Sequence, residues 1–172
     1  VSDPLTAEVG LRYHYTDYAG EGHFSPRVSA AYQVSPSTVL RGAWGHYAQS
    51  QSLHELQIAD GDTLFYPAQD AEHRILGLEH ILGSRMSLRV EAFQRLTSDP
   101  FPEFRNLVDR VEAVWEEGPG DRRGIFPDRS RSQGVELLAK GSLGSRTAWS
   151  AAYSYSKSED HLGEEWLPRP HD

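Results

Sequence analysis

Three segments of the chain alternate between apolar side chains and polar or small ones. In residues 5–15 the odd positions are Leu, Ala, Val or Tyr, and the even positions are charged, polar or glycine. Residues 27–34 and 149–156 repeat the alternation. Because successive side chains of a β-strand point to opposite faces, each segment is predicted to form a strand with one apolar face.

Four further segments follow the same pattern less regularly, at residues 39–47, 73–82, 86–95 and 134–143. The chain is therefore predicted to contain about seven strands. Short connections with turn-forming residues join strands at residues 35–37, 83–84 and 144–145. The other connections are predicted to be long, at about residues 16–26, 48–72, 96–133 and 157–172.

The turn at Gly83 also predicts a register. Leu78 and Val90 share a face only if Leu82 lies opposite Met86, and a three-residue hairpin with a glycine bulge satisfies that spacing. The same register places Glu79 opposite Arg89, where the two charges can pair across the strands.

The alternation of short turns and long loops is typical of outer-membrane β-barrels. Aromatic residues lie near the long-loop ends of the strands, as girdles do at a membrane interface: Tyr13, Tyr15, Trp44, Tyr47, Phe93, Tyr153 and Tyr155. The predicted fold is all-β, an antiparallel up-and-down meander that forms a segment of a transmembrane β-barrel. Its polar face is charged in mid-strand, at Glu8, Arg12, Arg41, Glu79, Arg89, Glu91, Glu136 and Lys140. A water-soluble all-β domain, which could also expose such a face, is the alternative.

The number of strands predicts that the barrel is incomplete. Single-chain bacterial barrels have an even strand number, whereas seven strands would leave the two chain ends on opposite sides of the membrane. Residues 1–172 are therefore expected to be a partial barrel domain. No pattern of a signal peptide begins at Val1, so an exported protein would start further upstream.

The composition narrows the classes of function. Hydrophobic residues make up 38% of the chain, charged residues 24%, and the mean hydropathy is -0.59. These values allow a barrel, in which only every second strand position is apolar, but no apolar run is long enough for a spanning helix. The net charge of -8 argues against a nucleic-acid partner. The absence of cysteine excludes disulfides and thiolate chemistry.

Few residues of the chain suggest a catalytic, metal-binding or ligand-binding role. Ser52 and Glu55 match a capping box that could start a short loop helix, and neighbouring His54 could touch a ligand, but no second metal ligand stands at a suitable spacing. No Ser/His/Asp combination, pair of carboxylates or glycine-rich phosphate-binding loop occurs at a spacing that would suit catalysis. We therefore expect no enzyme activity, no catalytic or metal-binding residues and no cofactor. The ligand-binding residues are left unassigned.

The long connection at residues 101–130 contains apolar residues near helical spacing: Phe104, Leu107, Val108, Val111, Val114 and Trp115. Three interpretations stay open. The segment could form a short helix over the barrel mouth, extend the neighbouring strands, or be a plain structural loop.

The stretch GLRYHYTDYAGEGHFSPRVSAAYQVSPSTVLRGAWGHYAQ, residues 10–49, resembles the barrel of TonB-dependent receptors. Their usual order is a GxRYD-like strand end, a loop, an SPR start, a Tyr-bearing strand and a turn before a T-x-LR strand. His14 stands where Asp is more usual. Later stretches follow in the same order: AEHRILGLEHILGSRMSLRVEAF, SRSQGVELLAKG and WSAAYSYSKSEDHLGEEWLPRPHD.

The resemblance implies a large barrel in the bacterial outer membrane with a plug domain in its lumen. Such a receptor imports a scarce ligand, for example a ferric siderophore, with energy from the TonB complex. The implied partners are outer-membrane lipid, the plug domain, the remaining barrel strands and the TonB complex, the last through a segment before Val1. The alternatives are a passive porin-like or structural barrel and a soluble β-rich binding domain.

Overall fold

A computed structural model describes residues 4–56, 58, 61, 63–106, 122–144 and 146–169. Ten strands occur in this part of the chain: β1 (Leu5–Thr16), β2 (Glu21–Ser35), β3 (Thr38–Gln49), β4 (Gln69–Leu82), β5 (Met86–Ser98), β6 (Glu103–Asn106), β7 (Arg122–Ile125), β8 (Arg129–Leu143), β9 (Thr147–Leu162) and β10 (Glu165–Pro168). A short 3₁₀ helix covers Leu53–Glu55. No helix in the described ranges is long and apolar enough to cross a membrane.

Eight of the strands form one sheet in the order β1-β2-β3-β4-β5-β8-β9-β10, and all neighbours are antiparallel. The predicted up-and-down meander is confirmed, and each of the seven predicted strands is present. The short strand β10, which pairs with the end of β9, was not predicted.

The segment left open at residues 101–130 contains a small sheet of its own. Strands β6 and β7 pair with each other and not with β5 or β8. The two ends of the segment that the structure describes are therefore neither a plain loop nor an extension of the neighbouring strands. Phe104 lies in β6. The other residues of the helical pattern, Leu107, Val108, Val111, Val114 and Trp115, lie outside the described residues.

The prediction of a long loop at residues 16–26 is wrong. Strands β1 and β2 pair from Leu5↔Tyr32 to Thr16↔Glu21, which leaves a turn of four residues, 17–20. Pro26 has no N–H to donate to a ladder, which disfavours proline at a strand position paired on both sides. In β2 it is tolerated because pairing with β3 begins only at Arg27, so at Pro26 the strand pairs with β1 alone.

The predicted register at the β4–β5 turn is confirmed. Leu82 pairs with Met86, Leu78 with Val90 and Glu79 with Arg89. Three residues separate the paired ends, and Gly83 opens the turn with a φ of 63°, a backbone conformation that glycine adopts without steric cost.

The register divides the large sheet into an apolar face and a polar face. One row of the apolar face crosses seven strands: Leu5, Tyr32, Leu40, Leu78, Val90, Leu137 and Tyr153. The adjacent row of the polar face consists of Thr6, Ala31, Arg41, Gly77, Glu91, Glu136 and Ser154. By this register Tyr47 and Phe93 lie on the polar face, so their assignment to an interfacial girdle with the other five aromatics is wrong.

Among the described residues, no second layer covers the apolar face. Val9 and Leu11 are 82% and 67% exposed, and Ala71 is the one buried hydrophobic side chain among the described residues. The chain exposes 12818 Å², whereas a compact soluble protein of this size would expose roughly 8,500 Å². The sheet therefore has no hydrophobic core of its own, and its apolar face requires an apolar environment.

Candidate functional site

A groove of about 510 Å³ lies at the long-loop end of the polar face. Strands β1, β2 and β3 form its floor, and the turn 17–20 and the first residues after β3 form its rim. The lining side chains are mostly polar or charged and include Arg12, His14, Thr16, Asp17, Tyr18, Ser25, Arg27, Tyr47, Ser50 and Ser52. Four other cavities along the described part of the sheet have smaller volumes.

Two glycines make room for the larger side chains of the groove. A methyl group on Gly10 would lie 2.9 Å from Nε of Arg27, so the guanidinium group passes directly over this glycine. A methyl group on Gly45 would lie 3.1 Å from the Tyr47 ring. Tyr47 also contacts His73 on the next strand, with ring centroids 4.6 Å apart. The glycines allow the arginine and the tyrosine to lie along the sheet.

The connection between β3 and β4 is anchored beside the groove by a buried glutamine. Gln51 is 3% exposed; its side-chain oxygen accepts a hydrogen bond from the Tyr66 N–H at 3.0 Å, and its backbone carbonyl accepts one from the Tyr18 hydroxyl at 2.6 Å. The hydroxyls of Thr16 and Ser50 lie 2.8 Å apart, within hydrogen-bond distance. These contacts attach the connection to the turn between β1 and β2 and define the rim of the groove.

The short loop helix that the capping pattern at Ser52 left open is present as the 3₁₀ helix. The Glu55 carboxylate accepts a hydrogen bond from the Ser52 N–H at 2.6 Å, as the capping pattern requires. His54 is exposed. Within the described ranges no group of three or more His, Asp or Glu side chains is arranged to hold a metal ion.

Ion pairs lie lower on the polar face. Arg41 contacts Glu79 at 3.3 Å, and Arg89 contacts Glu91 at 2.6 Å. Glu79 and Arg89 are directly opposed, as predicted, but their ion pairs at these distances are with other residues. Glu91 also stands opposite Glu136, so Arg89 lies where it offsets repulsion between two carboxylates.

The long-loop ends of β8, β9 and β10 are joined by a second cluster. Arg169 donates hydrogen bonds to the buried Asp160 carboxylate at 2.9 and 3.1 Å and contacts Glu103 of β6 at 3.0 Å. The cluster connects the small β6–β7 sheet to the end of the large sheet.

The chain matches, over residues 1–172, the family described as TonB dependent receptor-like, beta-barrel. It belongs to this family. The polar face with its groove is therefore the face that lines the lumen of a receptor barrel, and the apolar face is the face turned to lipid. The members of this family are outer-membrane transport receptors and not enzymes.

The fold of the receptor barrel also appears among solved structures. The alcaligin outer membrane receptor of Bordetella pertussis superimposes with a TM-score of 0.60 at 17% sequence identity, over 93% of this chain. The match covers 28% of that receptor, so this chain corresponds to about a quarter of its length. A search of curated proteins found no match.

Sequence reasoning did not assign the residues of the groove. Arg12 was recognised as a polar-face charge, but Arg27 and Tyr47 were not connected with it. The signal was present in residues 21–26, where Glu21, His23 and Ser25 alternate with Gly22, Phe24 and Pro26. Had this alternation been extended through Pro26, the short turn would have brought Arg27 beside Arg12.

Proposed function

We propose that this chain forms one sector of the barrel wall of a TonB-dependent receptor that imports a scarce ligand across the bacterial outer membrane. The observation that carries the proposal is the groove on the polar face. It lies at the long-loop end, which in an outer-membrane barrel is the extracellular mouth of the lumen, where an incoming ligand first meets the wall.

Membership of the family supports the remaining parts of the proposal. Other barrel strands complete the wall, a plug domain occupies the lumen, and contact with the TonB complex supplies the energy for import. Outer-membrane lipid covers the apolar face. Ferric siderophores are the ligand class that we propose. Ferric alcaligin is a reasonable first compound, because the structural neighbour is described as an alcaligin receptor.

The experiment that tests the proposal is an uptake assay with iron-labelled siderophores, ferric alcaligin among them. Uptake is compared in cells that carry the full-length receptor and cells that lack it, each with and without a functional TonB complex. We expect uptake that requires both the receptor and TonB. Receptor-dependent uptake that continues without TonB would instead identify a passive channel, and absence of the receptor from the outer-membrane fraction would contradict the proposal.

A further inference from the structure

The charges of the polar face are distributed unevenly along the strands. In the middle of the sheet four carboxylates, Glu8, Glu79, Glu91 and Glu136, share the face with three cations, Arg41, Arg89 and Lys140. At the long-loop end three arginines, Arg12, Arg27 and Arg95, lie on the same face with two carboxylates, Glu21 and Asp160. Asp160 is paired with Arg169, and Glu21 lies 3.3 Å from His23. Carboxylates therefore outnumber cations in the middle, whereas these arginines outnumber the carboxylates at the long-loop end.

Arg12 and Arg27 have no ion-pair partner among the described residues, in contrast to Arg41 and Arg89. They are diagonal neighbours, since Arg12 pairs with Ser25 and Arg27 with Gly10, a backbone separation of roughly 7–8 Å. Asp17 lines the same groove, but no ion pair joins it to either arginine. Both arginine side chains are exposed to the groove.

The surroundings of the two arginines suit a ligand with oxyanion groups. A guanidinium group is planar and presents donors in a fork that matches carboxylate or phosphate geometry. The Ser25 and Tyr47 hydroxyls line the same groove and can donate further hydrogen bonds. The Tyr47 ring offers an apolar surface beside these donors.

We propose that Arg12 and Arg27 form an anion-binding site that selects imported ligands carrying carboxylate or other oxyanion groups. The inference rests on the proposed import function and specifies that the imported ligand carries negative charge. In the structure Arg27 is held over Gly10 and Tyr47 over Gly45, so the donors are already arranged along the wall before a ligand arrives. Arg12 and Arg27 provide the charge, and Ser25 and Tyr47 provide neutral donors.

The test uses the full-length receptor purified in detergent, with citrate as the probe because it carries several carboxylates. Binding is measured by isothermal titration calorimetry at constant ionic strength. We expect Arg12→Gln and Arg27→Gln each to weaken citrate binding about ten- to a hundredfold, the effect of losing a charge-assisted hydrogen bond. The matched control is Arg41→Gln, on the same face but outside the groove, and its affinity should stay close to that of the wild type.

A second pair of variants separates the position of Arg27 from its charge. Gly10→Ala keeps both arginines but places a methyl group against the Arg27 side chain, and we expect it to weaken citrate binding severalfold. Gly42→Ala is the control, because a methyl group there meets nothing closer than 4.0 Å. Loss of binding in Gly10→Ala with normal binding in Gly42→Ala supports a built site.

Two results would overturn the inference. The first is a wild-type receptor that does not bind citrate, as expected if acidic side chains from another part of the receptor occupy the arginines. The second is equal affinity in the wild type and in both arginine variants. The proposed function is judged separately by the uptake assay. A receptor that binds citrate through Arg12 and Arg27 but imports nothing would support the anion-binding site and contradict the import function.

Discussion

Glu159 shows how a single carboxylate joins two strands at the long-loop end of the sheet. It lies on the same side as the apolar face, two residues beyond Lys157, where that face has become polar and the lipid-facing band has ended. Lys157 contacts it at 2.6 Å and Arg131 at 2.7 Å. Arg131 in turn lies 4.5 Å from the centroid of the Trp166 ring. The cluster connects β8, β9 and β10.

The charge of Glu159 should make this end of the sheet sensitive to pH. Hydrogen bonds from Lys157 and then Arg131 hold the pKa of the Glu159 carboxyl below its ordinary value of 4.5, against a smaller opposing effect of burial. A lowered folded-state pKa gives stability that is present above 4.5 and is lost as the pH falls through the lowered value. We expect Glu159→Gln to lower the Tm of the receptor at neutral pH, and the difference from wild type to shrink in acid.

The control for this prediction is Glu165→Gln on the neighbouring strand β10, where the carboxylate is exposed. Thermal unfolding in detergent, followed by circular dichroism over a pH series, measures both variants. A Tm difference for Glu159→Gln that stays constant from neutral to acid pH would show that the ion pairs do not contribute.

The alternation within each strand decides which residues meet lipid, and β4 contains both cases. Leu78 lies on the apolar face between Leu40 and Val90. Ile75, three residues earlier, lies on the polar face between Ala43 and Phe93. The same substitution at the two positions therefore places a charge in two different environments.

We expect Leu78→Arg to destabilise the receptor in lipid vesicles by about 2–4 kcal/mol, the cost of a cation near the middle of a bilayer. Ile75→Arg should cost clearly less, since its charge enters the polar lumen. The free energy of unfolding in urea, measured in the presence of vesicles, compares the two variants. Equal costs would contradict the assignment of the faces.

Strand boundaries were the least accurate part of the sequence-based prediction. Beyond the lipid-facing band the apolar positions give way to a row of Arg74, Gln94, Gln133 and Lys157, so the period of two no longer separates apolar from polar. The strands nevertheless continue, because antiparallel pairing needs only backbone groups on both sides. For this reason β4, β5, β8 and β9 all extend further toward the long-loop end than the pattern predicted.

At the scale of the whole molecule, the dominant feature is a large sheet whose described residues do not enclose a hydrophobic core. The exposed apolar face cannot be stable in water unless another layer covers it, and β1 lies at an edge of the sheet with one pairing neighbour. We expect the chain expressed alone to aggregate or stay partly unfolded in plain buffer and to become strand-rich in detergent.

Circular dichroism and size-exclusion chromatography, each with and without detergent, check this expectation. Water does not stabilise the apolar face, whereas detergent covers it, so the strand content should depend on the presence of detergent. A monodisperse monomer that melts cooperatively in plain buffer would contradict it and would favour a soluble β-sheet domain.

The sequence by itself determined the fold class, the meander, the register at Gly83 and the two faces of the sheet. These features depend on residues that are neighbours along a strand or across a tight turn, so the local pattern contains them. The family could also be recognised, because its motifs occur in order along the chain.

Only the tertiary structure decided how the groove is built. Arg12, Arg27 and Tyr47 come from three strands, and they meet because the β1–β2 pairing continues past Pro26 to a four-residue turn. The β3–β4 connection reaches the rim through the buried Gln51, whose hydrogen bonds join distant parts of the chain. Contacts between residues far apart in sequence depend on backbone pairing and packing, which alternation along a single strand does not reveal.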